Sequence, residues 1–150
     1  MYRRILVPID GSSTSQRGLA EALSLASAFG ASLVLLHVIE YYPVMPETAS
    51  LATLEAITAG LRDDGRRLLD AAHETARSAS VASEAHLEDA ASARVCDVIV
   101  AQARAHRCDL IVMGTHGRRG IERALVGSDA ERVLRMTPVA VLMVRSTEPG

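Results

Sequence analysis

The stretch Gly114-Thr115-His116-Gly117-Arg118-Arg119-Gly120 carries the residue types most suited to holding an anion. Glycine lets backbone N–H groups approach a ligand closely, and arginine offers a planar fork of donors that matches phosphate. Residues 127–131, Gly-Ser-Asp-Ala-Glu, then open a helix, whose N-terminus favours negative charge. An apolar run at residues 110–113, Leu-Ile-Val-Met, leads into the stretch as a strand. A connection as long as that from Gly114 to Gly127 is uncommon in a compact domain and tends to be functional. It is also locally basic, with Arg118, Arg119 and Arg123 against Glu122. No Gly-Lys occurs, so this is not a Walker A loop. The Gly-x-x-Gly-x-x-Gly spacing also differs from the dinucleotide fingerprint.

Other reactive types are more scattered. Asp10 follows an apolar run and precedes Gly11-Ser12-Ser13. It can cap that turn, or accept a ribose hydroxyl or a bound metal. The histidines at 37, 73, 86, 106 and 116 include no pair at metal-ligand spacing. His37 lies within a strand and is expected to be a satisfied interior residue. His116 lies in the glycine loop, where it is either a phosphate contact or solvated. Cys96 and Cys108 form no C-x-x-C pair and read as reduced, partly buried thiols. Gly-x-Ser-x-Gly is absent. All sixteen positive side chains are arginine. The missing lysine removes a P-loop lysine, a Schiff-base lysine and a lysine general base together.

These residues need a scaffold, and the hydrophobic pattern supplies one. Residues 4–10 and 33–39 are apolar without alternation, as strands buried on both faces are. Residues 81–87 alternate imperfectly, which suits a strand nearer a sheet edge. Residues 109–113 and 139–144 complete five strands. Helices are expected over 13–29, with Ser13 and Gln16 as a capping box and Gly30 as C-cap. Others are expected over 51–80, 93–106 and from Ser128, capped with Glu131, to Met136. In the second helix Leu54, Ile57, Leu61, Leu68 and Leu69 form the apolar positions, and Gly60 and Gly65 weaken its middle. In the third, Val95, Val98, Ile99 and Ala103 turn inward. Residues 40–50, with Pro43 and Pro46, read as a loop. This alternation predicts an α/β fold, an open parallel sheet with helices on both faces. Ligands of such sheets bind beyond the carboxyl ends of the strands, where the winding reverses. If the first and fourth strands are neighbours there, Asp10 and the glycine loop face one crevice.

The totals fit one domain of 150 residues, large enough to bury a core without disulfides. A net charge of −2 argues against a general nucleic-acid or membrane-surface binder. Tyr2, Tyr41, Tyr42 and Phe29 are the whole aromatic complement, too few for a stacking platform. No apolar run approaches a membrane span, and the start lacks a signal-peptide apolar region, so a cytoplasmic protein is expected.

The chain resembles the universal stress protein family. The resemblance rests on Ile-Leu-Val-Pro-Ile-Asp at 5–10, Leu-His-Val-Ile at 36–39, Asp-Leu-Ile-Val-Met-Gly-Thr-His-Gly at 109–117, and Pro-Val-Ala-Val-Leu-Met-Val at 138–144. Gly114, Gly117, Gly127 and Ser128 also fill the family's motif of Gly, two residues, Gly, nine residues, Gly and Ser or Thr. The resemblance implies a Rossmann-like five-stranded parallel sheet of order 3-2-1-4-5 that binds ATP with Mg or Mn. It also implies a homodimer formed largely through the last strand, with Val139 and Val144 at its ends. Carried across, Asp10 holds the ribose or metal region, Pro8 lines the pocket and Val38 meets adenine by its backbone. Met113 packs beneath the nucleotide, and Gly114, Gly117, Gly127 and Ser128 cradle ribose and phosphates. Arg118, Arg119 and Asp129 complete the expected nucleotide-binding set. The implied function is a nucleotide-responsive stress regulator rather than a metabolic enzyme. The alternatives are a nucleotide-free dimeric interaction module, or a slow ATPase or nucleotidyl transferase on the same fold.

Overall fold

A computed structural model describes residues 1–41, 48–116 and 126–145. Its elements run β1 (Arg4–Pro8), α1 (Ser13–Phe29), β2 (Ser32–Ile39), α2 (Leu51–Ser78), β3 (Ser83–Asp89), α3 (Val95–Ala105), β4 (Leu110–Gly114), α4 (Ser128–Met136) and β5 (Ala140–Val144). The five strands form one sheet in the order β3-β2-β1-β4-β5, and every pairing is parallel. This is the expected α/β architecture. β1 lies at the centre with β2 on one side and β4 on the other, so the winding reverses between β1 and β4.

Each central strand divides its side chains between two cores. Ile5, Val7 and Ile9 join Leu33, Leu35, Leu110 and Val112 beneath α1 and α2, which contribute Leu19, Ala22, Ala26, Leu69, Ala72 and Ala76. Leu6, Val34, Leu36, Ile111 and Met113 face α3 and α4, which contribute Cys96, Ile99, Val100, Ala103, Ala130 and Val133. A strand buried on both faces has no polar side to show, which is why β1, β2 and β4 read as unbroken apolar runs.

The helix ends depart from the sequence reading in instructive ways. Ser12, not Ser13, caps α1, its Oγ accepting from the Ser15 N–H at 3.2 Å. The cap of α4 is Gly127, with no side-chain hydrogen bond, so Ser128 lies inside the helix and the Ser128–Glu131 box does not form. α1 ends as expected, on Gly30 with φ of 66°. Its closing bond, Ala31 N–H to Ala26 carbonyl at 3.0 Å, recurs as Val81 to Ala76 in α2 and Cys108 to Ala103 in α3. In those two helices Ser80 and Arg107 take the left-handed conformation without being glycine. The same sixth-to-first hydrogen bond holds all three ends, so a non-glycine residue is tolerated there.

α2 is one continuous helix, and Gly65 is not a weak point in it. A Cβ on Gly65 would come 2.7 Å from both the His37 ring and the Leu87 side chain. Gly65 is therefore the place where α2 approaches the sheet most closely. Packing concentrates in the second half of α2, at Leu69, Ala72 and Ala76, while Leu54, Ile57 and Leu61 stay half-buried. In α3 the fully buried set is Cys96, Ile99, Val100 and Ala103, and Val95 and Val98 are only partly covered. No helix among the described residues is long and apolar enough to cross a membrane.

Candidate functional site at the strand carboxyl ends

The parallel pairing of β1 with β4, Ile5 with Leu110 and Leu6 with Ile111, sets Asp10 and Gly114 at the same end of adjacent strands. Strand alternation puts Pro8, Val38 and Met113 on the face covered by α3 and α4. Met113 is buried, and Val38 and Pro8 are half-buried. These three expected residues therefore line one face at the open end of the sheet. Gly127 and Ser128 stand at the start of α4 beside them, and Asp129, in its first turn, is exposed. Gly117, Arg118 and Arg119, with Gly120, Glu122 and Arg123, lie outside the described residues.

Asp10 is engaged by its own turn. Its Oδ1 accepts from the Ser12 N–H at 2.9 Å and from Ser12 Oγ at 2.6 Å. Its N–H donates to Ser15 Oγ at 3.2 Å. Gly11 supplies the φ of 83° that this reversal needs. The capping role weighed for Asp10 is thus realised, and it holds the carboxylate at the crevice rim, half-buried.

The glycines of the loop serve backbone packing directly. A Cβ on Gly114 would sit 2.8 Å from the Thr14 side chain and 3.0 Å from its backbone carbonyl carbon. Thr14 itself is buried at the start of α1 and donates through Oγ1 to the His116 carbonyl. The next residue, Thr115, is buried and donates its N–H to the Val144 carbonyl at 2.8 Å. Its own carbonyl accepts from the Gly127 N–H at 2.7 Å, and a Cβ on Gly127 would crowd that oxygen at 3.1 Å. α1, β4, β5 and α4 thus converge on three consecutive residues, 114–116.

Two polar features face this convergence. His116 bonds through Nδ1 to Thr115 Oγ1 at 3.1 Å, while its Nε2 is enclosed with no hydrogen-bond partner among the described residues. The start of α4 carries no side-chain cap, which leaves its first N–H groups to other acceptors. On the far side, at the ends of β2 and β3, the Tyr41 hydroxyl donates to Asp89, which also pairs with Arg62 at 3.0 Å. The Asp89 hydrogen bond, with burial adding, raises the Tyr41 phenol above its ordinary pKa. Asp89 is absent from the residues singled out by the sequence reading. The signal that reading missed is that Asp89 ends a strand beside β2.

His37 is the interior residue expected, buried with Nδ1 at 2.6 Å from the Ile9 carbonyl. Both cysteines are free and buried. Burial pushes the Cys96 thiol up, with Asp97 and Asp129 adding to it, and raises Cys108 to about 11. Neither thiol is placed to act as a nucleophile.

The chain matches the model of the Universal stress protein family over residues 1–145. Among relatives, it is 32% identical over 145 residues to Universal stress protein MJ0531 of Methanocaldococcus jannaschii, covering 97% of this chain and 83% of that protein. Among solved structures, one from the universal stress protein family of Burkholderia pseudomallei superposes with a TM-score of 0.80 at 32% identity, over 97% of each chain. Another, a universal stress protein in complex with cAMP, superposes with a TM-score of 0.66 at 25% identity, over 96% of this chain and 97% of that one.

Proposed function

The chain belongs to the universal stress protein family, and on that premise we propose that it is a cytoplasmic, single-domain ATP-binding regulator of the stress response that works as a homodimer. The observation that carries this reading is the crevice between β1 and β4. There an apolar floor of Pro8, Val38 and Met113 meets a helix start without a side-chain cap and the enclosed Nε2 of His116, which has no hydrogen-bond partner among the described residues. An adenine base suits the floor, and phosphates suit helix N–H groups and an imidazole donor. Asp10, Gly114, Gly117, Gly127 and Ser128 surround ribose and phosphates in this reading, with Arg118 and Arg119 supplying positive charge. Asp129 sits in the first turn of α4, where a bridging Mg or Mn offsets its charge against the phosphates. The relative bound to cAMP supports an adenine nucleotide as the ligand class. A partner protein then reads the nucleotide-bound surface at this end of the sheet.

Support for the homodimer comes from β5, an edge strand of apolar residues whose Leu142 is exposed, as are Leu134 and Met136 of α4. An uncovered apolar edge invites pairing with a second copy.

Titration calorimetry with ATP, AMP and cAMP, each with and without Mg, tests the nucleotide claim. ATP binding that weakens on chelation and in His116→Ala is expected, because that variant keeps the backbone carbonyl to which Thr14 donates. Failure of the wild-type protein to bind any of the three defeats the reading. Preference for AMP or cAMP corrects the ligand, and ATP turnover abolished by Asp10→Ala would move the protein to the slow-ATPase class.

A further inference from the structure

His106 is distant in sequence from Glu84 and His86, yet the three form a compact cluster on the α3 face of the outermost strand. Glu84 and His86 are two residues apart on β3, so their side chains share a face. His106 is the C-cap residue of α3, and its ring lies 4.1 Å from that of His86, tilted by 44°. Glu84 Oε1 is 3.4 Å from His86 Nε2 and 3.2 Å from His106 Nδ1. All three ligand atoms fall within 4.8 Å of one another.

We propose that this cluster is a binding site for a borderline divalent cation of the zinc class, held by His86 Nε2, His106 Nδ1 and a Glu84 oxygen. Tetrahedral coordination at zinc–nitrogen distances of about 2.0–2.1 Å sets ligand atoms about 3.3 Å apart. The two carboxylate-to-imidazole separations already have that length. The third lies within 4.8 Å, and rotation of the imidazole rings is what must shorten it. Two imidazoles and one carboxylate are also the donor set that such cations prefer over magnesium or calcium.

The surrounding hydrogen bonds favour the same occupant. His106 Nε2 meets Gln102 Oε1 at 3.0 Å, and in the tautomer in which that nitrogen donates, the Nδ1 lone pair faces Glu84. A lone pair facing a carboxylate is unfavourable until a cation stands between them. His86 Nε2 is enclosed with no hydrogen-bond partner among the described residues, so it too lacks a proton donor. Side chains that are 29% and 23% exposed for the histidines and 44% for Glu84 leave a solvent side through which the ion enters and where water completes its shell.

Arg4 is the competitor. Its guanidinium pairs with the same Glu84 oxygen, while its Nε is buried without a hydrogen-bond partner among the described residues. Without metal, Arg4 neutralises Glu84. The incoming cation takes over that role and displaces it. The cluster uses none of the residues assigned to nucleotide, so the two sites load independently.

The test is a Zn(II) competition titration against a chromogenic chelator, with Co(II) absorbance as a second probe, on the full-length protein without nucleotide. One equivalent of tight Zn(II) is expected, with affinity falling about tenfold or more in His86→Gln and in His106→Gln. Arg4→Met should bind more tightly than wild type, a gain that loss of a merely structural ion pair would not produce. Thermal melts of each variant separate misfolding from ligand loss. The proposal is overturned by absence of stoichiometric binding to folded wild type, by binding indifferent to both histidine variants, or by a Co(II) spectrum with thiolate charge transfer.

Discussion

Two regions of the sheet are built on opposite terms. At the carboxyl ends of β1 and β4, backbone meets backbone, and Gly114 and Gly127 are the residues that permit it. On the outer strand β3, side chains from β1, β3 and the end of α3 gather around one half-exposed carboxylate, Glu84. The first arrangement is rigid, because neither Thr14 nor Thr115 can move away without breaking its own hydrogen bond. The second is adjustable, because long side chains can turn toward solvent or a ligand. A crevice that must fit one shape suits the first design, and a centre that exchanges occupants suits the second.

If this contrast holds, Gly114→Val should be the most damaging change, destabilising by about 3 kcal/mol through overpacking against Thr14. Urea denaturation measures it, and a cost near zero would show that α1 yields more readily than the crevice geometry implies. Beside the β3 cluster, the buried thiol of Cys108 should show in the pH dependence of stability. Its folded pKa, about 11 against an ordinary 9.0, means that the folded chain holds its proton longer. Its contribution is complete below pH 9.0 and is lost as the pH climbs toward about 11, a decline that Cys108→Ala should flatten. Ser12→Ala removes the cap of α1 and one anchor of Asp10, and should cost about 1 kcal/mol. Glu84→Gln should cost least, roughly 0.5 kcal/mol, since its ion pairs are solvent-screened. A Glu84→Gln cost equal to that of Gly114→Val would erase the distinction between the two regions.

The five strands and the two-faced core were legible because apolar runs of strand length admit few alternatives. The strand order came from the family resemblance, and the pairing of β1 with β4 was a condition that the fold supplies. What escaped was the sequel of close contact between distant segments. Gly65 reads as a helix weakness until His37 and Leu87 are seen against it. Ser12 and Ser13 are equally good caps on paper, and the turn fixed by Asp10 selects Ser12. No histidine pair has metal-ligand spacing along the chain, yet the fold sets His86 against His106. The available clue was Glu84 and His86 at strand spacing, pointing the same way. Of the expected nucleotide set, Pro8, Asp10, Val38, Met113, Gly114, Gly127, Ser128 and Asp129 fall at one end of the sheet. The arginine pair and Gly117 lie outside the described residues.

The bond from Thr14 to the carbonyl of His116 spans 102 residues. Its consequence concerns the order of events on the ribosome. Strands β1, β2 and β3 can pair in sequence as they emerge, but the free side of β1 waits for β4. Until residue 116 has been synthesised, Thr14 has no acceptor and the crevice has only one wall. A nascent or truncated chain lacking β4 therefore presents an open, unfinished edge at its most central strand. The closed crevice becomes a property of the finished polypeptide alone.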